Sequence, residues 1–129
     1  MDDFFRSIFL GFVRVHLLHQ AAEGPIYGAE MMEKLARHGY DLGPGTLYPI
    51  LHAMERGGYL TSEQRVVGGK RRKYYALTEG GQLALPRLRR QVRELVGEVL
   101  GGEEATDGPQ APPFADSAVG ETAKGTEEE

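Results

Sequence analysis

The sequence predicts a mostly helical α+β fold in the order α-α-α-β-β-α, and two stretches carry that prediction. In the first, Gly43 to Gly57, apolar Leu47, Ile50, Leu51 and Met54 fall at i, i+3, i+4 and i+7, so they line one face of a helix. The opposite face carries Tyr48, Pro49, His52 and Arg56. In the second, Val66 to Tyr75, two strand-like runs flank the turn Gly68-Gly69 and carry Lys70, Arg71, Arg72 and Lys73. A short helix with a phenol, an imidazole and a guanidinium on its outer face can read base edges. A cationic hairpin beside it can hold phosphates. Together they are the plan of a winged helix-turn-helix.

The elements follow in order. Phe4 to Ala22 is apolar on several faces, through Phe5, Ile8, Phe9, Phe12, Val13, Leu17 and Leu18. A helix of that kind must bury more than one face. One domain core covers one of them, and the other suggests a subunit interface. Gly24-Pro25 ends this helix. Ile26 to His38 reads as a second helix with Met31 and Leu35 facing inward, stopped by Gly39. Tyr40 to Gly45 is a glycine- and proline-rich turn. The third helix spans residues 46–57, with Thr46 as its N-cap and Pro49 in its first turn, where a missing N–H costs little.

Residues 59–67 and 71–77 read as two strands. Thr78 is the N-cap expected for a last helix over 79–100, which Pro86 should kink or delay. Leu88, Val92, Leu95 and Val99 then step by four, three and four, a coiled-coil-like seam that Val96 widens. Residues 1–78 thus form the winged-helix domain including its N-terminal helix, and 79–100 a C-terminal dimerisation helix. Residues 101–129 hold one aromatic, three prolines and a terminal acidic run. Such a segment cannot bury enough apolar surface to offset its ordering entropy, and a disordered acidic tail is expected.

The net charge of −4 looks wrong for a nucleic-acid binder until it is divided. Residues 1–100 hold 14 Lys and Arg against 11 Asp and Glu, whereas 101–129 hold one Lys against eight acids. Five of those 14 cations lie between Arg65 and Lys73. A local basic patch matters more to DNA than the isoelectric point of the whole chain.

Other chemistries find little support. There is no cysteine, so disulfides and thiolate metal sites are excluded. His16 and His19 are three apart on a helix, but sequence places no third metal ligand, and no metal or cofactor is expected. No nucleophile–base–carboxylate set appears, so an enzyme is not expected. Asp2 and Asp3 stand where a secretory signal would be basic. The apolar run from Ile8 to Leu18 is broken by Arg14 and too short to span a bilayer. A cytoplasmic protein is the expectation.

Four blocks carry a family pattern: Tyr27-Gly28-Ala29-Glu30-Met31, Gly45 to His52, Gly58-Tyr59-Leu60, and Lys70 to Glu79 with Gly81. In this order and spacing they resemble the PadR-like transcriptional regulators, over roughly residues 8–100. The resemblance implies a homodimeric winged-helix repressor that binds a palindromic operator and is released by a small ligand. It further implies dimerisation through the single C-terminal helix against the partner's first helix, as in the short branch of the family. Tyr27 resembles a family tyrosine that reaches the DNA backbone.

The expected DNA-binding residues are therefore Tyr27, Thr46, Tyr48, Pro49, His52, Arg56, Lys70, Arg71, Arg72 and Lys73. The expected dimer interface is Phe5, Ile8, Phe9 and Phe12 with Leu88, Val92, Leu95, Val96 and Val99. Strand alternation sends Lys70 and Arg72 to one face and Arg71 and Lys73 to the other, so the four cannot meet one groove equally. The expected partners are double-stranded DNA and a second copy. The aromatic, apolar region between the first and last helices also suits a small flat hydrophobic effector. The rival reading is a winged-helix module that binds proteins and not DNA. It would call for a neutral wing and an acidic or apolar recognition face, and this chain has neither.

Overall fold

The computed structural model describes residues 2–101. The expected acidic tail, 101–129, lies outside the described residues apart from Gly101. The chain divides into one unit of Met1–Val92 and a second of Arg93–Glu129. Its elements run α1 (Asp3–Glu23), β1 (Ile26–Tyr27), α2 (Gly28–Arg37), α3 (Pro44–Arg56), β2 (Leu60–Val67), β3 (Lys70–Leu77) and α4 (Glu79–Val99). Among the described residues no helix is long and apolar enough to cross a membrane.

Helix α1 starts on Asp2, whose carboxylate accepts the Phe5 N–H at 3.0 Å. It buries Val13, Leu17, Leu18 and Ala21. The second helix starts later than the periodicity predicts. Ile26 and Tyr27 form a short strand antiparallel to β3, with Ile26 opposite Tyr75 and Tyr27 opposite Tyr74. Pairing there satisfies backbone groups and buries Ile26, and that tertiary gain overrides the helical pattern.

Helix α3 begins earlier than expected. Gly43 is its N-cap and Pro44 occupies the first turn. Thr46 is therefore inside the helix and does not cap it; its N–H reaches the Gly43 carbonyl at 3.1 Å. Pro49 likewise falls in the helix interior and not the first turn. The predicted inner face is buried through Leu47, Ile50, Leu51 and Met54.

Strands β2 and β3 pair from Leu60–Leu77 out to Val67–Lys70. Gly68 and Gly69 close the hairpin at φ 58° and 78°. Both central residues of this two-residue turn are left-handed, which glycine adopts without steric cost. The sheet order is β1-β3-β2. Its inner face presents Ile26, Leu60 and Tyr75 to the core. Thr78 caps α4 as the sequence predicts: its hydroxyl accepts the Gly81 N–H at 3.0 Å and donates to the Gly58 carbonyl at 2.6 Å. Pro86 does not delay the helix, which runs from Glu79 through it.

His16 and His19 have different contact partners. His16 lies against the end of α2, its ring stacked on His38 at 5.1 Å and edge-on to Tyr40 at 5.3 Å. His19 meets Arg89 at 3.2 Å and Glu23 at 3.6 Å. Burial, then His38 and His19, hold His16 below its ordinary pKa of 6.5. Below pH 6.5 the unfolded chain therefore takes up this proton before the folded chain does. Stability should fall as pH drops from 6.5 through the lowered folded value, and be independent of this ring above 6.5. Urea titrations of wild type and His16→Gln from pH 5 to 8 check this. The gap in stability should change only on the acid side, and a constant gap would contradict it.

Candidate nucleic-acid interface

Helix α3 carries the outer face that its sequence predicts, with one change of role. Pro49, His52 and Arg56 are exposed, but Tyr48 is half-buried. Its ring packs over α2 at Gly28, where a Cβ would stand 2.6 Å from two ring carbons. Gly28 is the residue that lets this ring approach the α2 backbone. His52 lies beside it, with ring centroids 6.5 Å apart. Tyr48 thus has one side fixed by packing and cannot be regarded as freely solvated.

Two further contacts set α3 in place. Ser62 on β2 donates to Glu55 at 2.8 Å, tying the end of the helix to the hairpin. At the other end, Arg6 of α1 lies 3.5 Å from the Thr46 hydroxyl. Beneath the helix, the Tyr75 hydroxyl is buried without a hydrogen-bond partner among the described residues. Burial raises its pKa, with Glu55 and Tyr48 adding to the effect, so it stays a neutral phenol.

The hairpin continues this surface. Lys70, Arg71 and Lys73 are exposed and Arg72 is half-buried. Alternation divides them as expected: Arg72 lies over the Tyr27 ring at 4.5 Å on the outer face, and Lys73 lies near Tyr75 on the inner side. Tyr27 meets Tyr74 edge-on at 5.2 Å. Among the described residues, none of the four wing cations has a carboxylate at ion-pair distance. The structure therefore brings Tyr27, Tyr48 and Arg72 onto one continuous surface, through the contact of Tyr48 with Gly28 next to Tyr27. Arg6, Arg65 and Tyr74 also border this surface, and sequence reasoning did not single them out. The register set by a two-residue turn would have paired Arg65 with Arg72. Arg6 carries no comparable local signal.

The expected dimer surfaces are apolar and open in the single chain. Phe5 is 51% exposed, and Ile8, Phe9 and Phe12 are exposed as well. On α4, Val92, Leu95, Val96 and Val99 are exposed, whereas Leu88 is half-buried against its own core. Between α1, the end of α3 and α4 lies a groove of about 620 Å³. Val15, Leu18, Met54 and Leu88 make it apolar, and Arg14, Arg87 and Arg90 also line it.

Comparison with known proteins agrees with this geometry. Residues 17–87 match the transcriptional regulator PadR-like family. The chain is 51% identical over 96 residues to the transcriptional regulator Rv3488 of Mycobacterium tuberculosis, covering 74% of this chain and 90% of that one. Among solved structures, a PadR-like transcription factor from Bacteroides fragilis superposes with a TM-score of 0.65 at 27% identity, covering 76% of this chain and 96% of the other. A PadR family transcriptional regulator from Eggerthella lenta gives 0.61 at 33%, covering 82% and 96%. This chain belongs to the PadR-like family, and is a winged helix-turn-helix regulator of transcription and not an enzyme.

Proposed function

We propose that the protein is a cytoplasmic, homodimeric repressor that binds an inverted-repeat operator and is released by a small flat hydrophobic ligand. The observation that carries the DNA geometry is the continuity of the α3 outer face with the cationic hairpin. In this reading α3 enters the major groove and the wing follows the backbone or minor groove. Phosphate contacts from Thr46, Tyr27 and the wing supply affinity and register. Tyr48, Pro49, His52 and Arg56 face the base edges. The second copy covers the aromatic face of α1 with the apolar stripe of α4, which sets two recognition helices on one side of the duplex. The groove beside α1 and α4 is the place for the effector, because its apolar walls suit a flat ring system.

Variants of α3 test the readout. His52→Ala should cost about 1–3 kcal/mol on the operator and much less on random duplex, because base contacts discriminate and phosphate contacts do not. Its side chain is exposed, so thermal stability should hold. Tyr48→Phe keeps the packing on Gly28 and removes only the hydroxyl, which isolates that group's contribution. Equal losses on both DNAs, read by fluorescence anisotropy, would assign these residues to the backbone instead.

A further inference from the structure

The outer face of the sheet holds two arginines and two tyrosines in an ordered ladder. Glu63, Tyr74 and Tyr27 form one row across β2, β3 and β1, because Glu63 pairs with Tyr74 and Tyr74 with Tyr27. One step toward the hairpin tip on this face, Arg65 stands directly opposite Arg72. Each arginine leans back over one ring of the first row. The guanidinium carbon of Arg65 is 4.9 Å from the centre of Tyr74, and that of Arg72 is 4.5 Å from the centre of Tyr27.

Like charges directly opposed across a ladder destabilise it. The rings offset part of that repulsion by cation–π attraction and hold both guanidinium groups on one face, over neighbouring rings whose centroids are 5.2 Å apart. Arg65 also pairs with Glu63, while Arg72 has no carboxylate at ion-pair distance among the described residues. The first residue of α2 follows Tyr27, which makes no side-chain cap for that helix. The N-terminus of α2 adds positive potential next to the rings, and Glu30 in the same turn offsets some of it.

We propose that Arg65 and Arg72, shelved on Tyr74 and Tyr27, form a clamp for one DNA phosphodiester, shared by both guanidinium groups. Arg65 is then a further DNA-contact residue, on the strand opposite the basic run, and Tyr74 is a positioning residue that acts through Arg65. The proposal rests on the reading that the chain binds DNA. It adds that the contact crosses the hairpin and extends the wing surface back to the start of α2. Two fork-shaped donors seated on neighbouring rings suit the tetrahedral oxygens of a phosphate better than two lysines would.

The test is a salt titration of the full chain on a labelled random-sequence duplex, with thermal melts confirming the fold of each variant. Arg65→Ala/Arg72→Ala should lower the log–log salt slope by about 0.9 per subunit engaged, the value for one phosphate, and each single change by less. Tyr74→Leu should lower the affinity, and Tyr74→Phe should restore it, because the ring face carries the cation. Lys70→Ala/Arg71→Ala/Lys73→Ala is the comparison that leaves the clamp intact. If that triple variant lowers the slope and the double variant does not, the clamp is wrong while DNA binding by the wing stands. A fall of about 1.8 per subunit in the double variant would mean two separate phosphates and would overturn sharing. If Tyr74→Phe binds as weakly as Tyr74→Leu, the shelf is overturned. A wild-type chain that binds no duplex overturns both the clamp and the reading beneath it.

Discussion

A Leu95→Glu protein should sediment as a monomer and bind its operator about 10²–10⁴-fold more weakly. The size follows from bivalency: when two half-sites are read by one linked pair, the second binding event is intramolecular, and that advantage disappears with the dimer. Leu95 is 51% exposed in the single chain, with Val92, Val96 and Val99 exposed beside it. An apolar stripe of this kind together with the bare phenylalanine face of α1 leaves too much oil in water for a lone protomer. A carboxylate placed in the proposed seam would be buried without a partner, which costs far more than the absence of the leucine's apolar packing. The protomer's own core contains no part of that stripe beyond the half-buried Leu88, so the monomer should stay helical. Removing residues 103–129 is the matched control. It takes away mainly acidic charge and should leave the dimer intact. Sedimentation decides, and a folded Leu95→Glu dimer that still binds would overturn the interface.

The wing gives the second large effect. Lys70→Ala/Arg71→Ala/Arg72→Ala/Lys73→Ala should weaken binding to operator and random duplex alike, since phosphates carry no sequence. For every phosphate that the altered wing no longer neutralises, the log–log salt slope should fall by about 0.9. Lys70, Arg71 and Lys73 are exposed and none of the four belongs to the hydrophobic core, so the melting temperature should move little. An unchanged slope would remove the wing from the DNA.

Much of this architecture is legible in the sequence because it rests on strong local signals. Leu47, Ile50, Leu51 and Met54 lie on one face in any helix of this register, and two adjacent glycines between strand-like runs leave few alternatives to a tight hairpin. What was not legible depends on neighbours distant in sequence. Two residues, Ile26 and Tyr27, are too few to show alternation, and their strand exists only because β3 offers an edge. Gly43-Pro44-Gly45 looks like a turn, yet a proline in the first turn of a helix costs little, so α3 starts there and Thr46 has no capping role. Tyr48 reads as a surface residue on its own helix. Its packing becomes visible only when Gly28 of the preceding helix is placed against it. The residues that touch DNA in the proposed complex are legible mainly by their type, and their grouping only by the fold.

In the proposed complex the protein reads an inverted repeat as a two-fold dimer, through α3 and the wing. Enrichment of duplexes from a fully random pool by the full-length chain, followed by sequencing, tests this most directly. A two-fold symmetric motif is expected, with half-site centres about one helical turn apart and with binding weakened on that motif, but not on random DNA, by His52→Ala. An enriched motif without two-fold symmetry, or a pool that never departs from random, would contradict it.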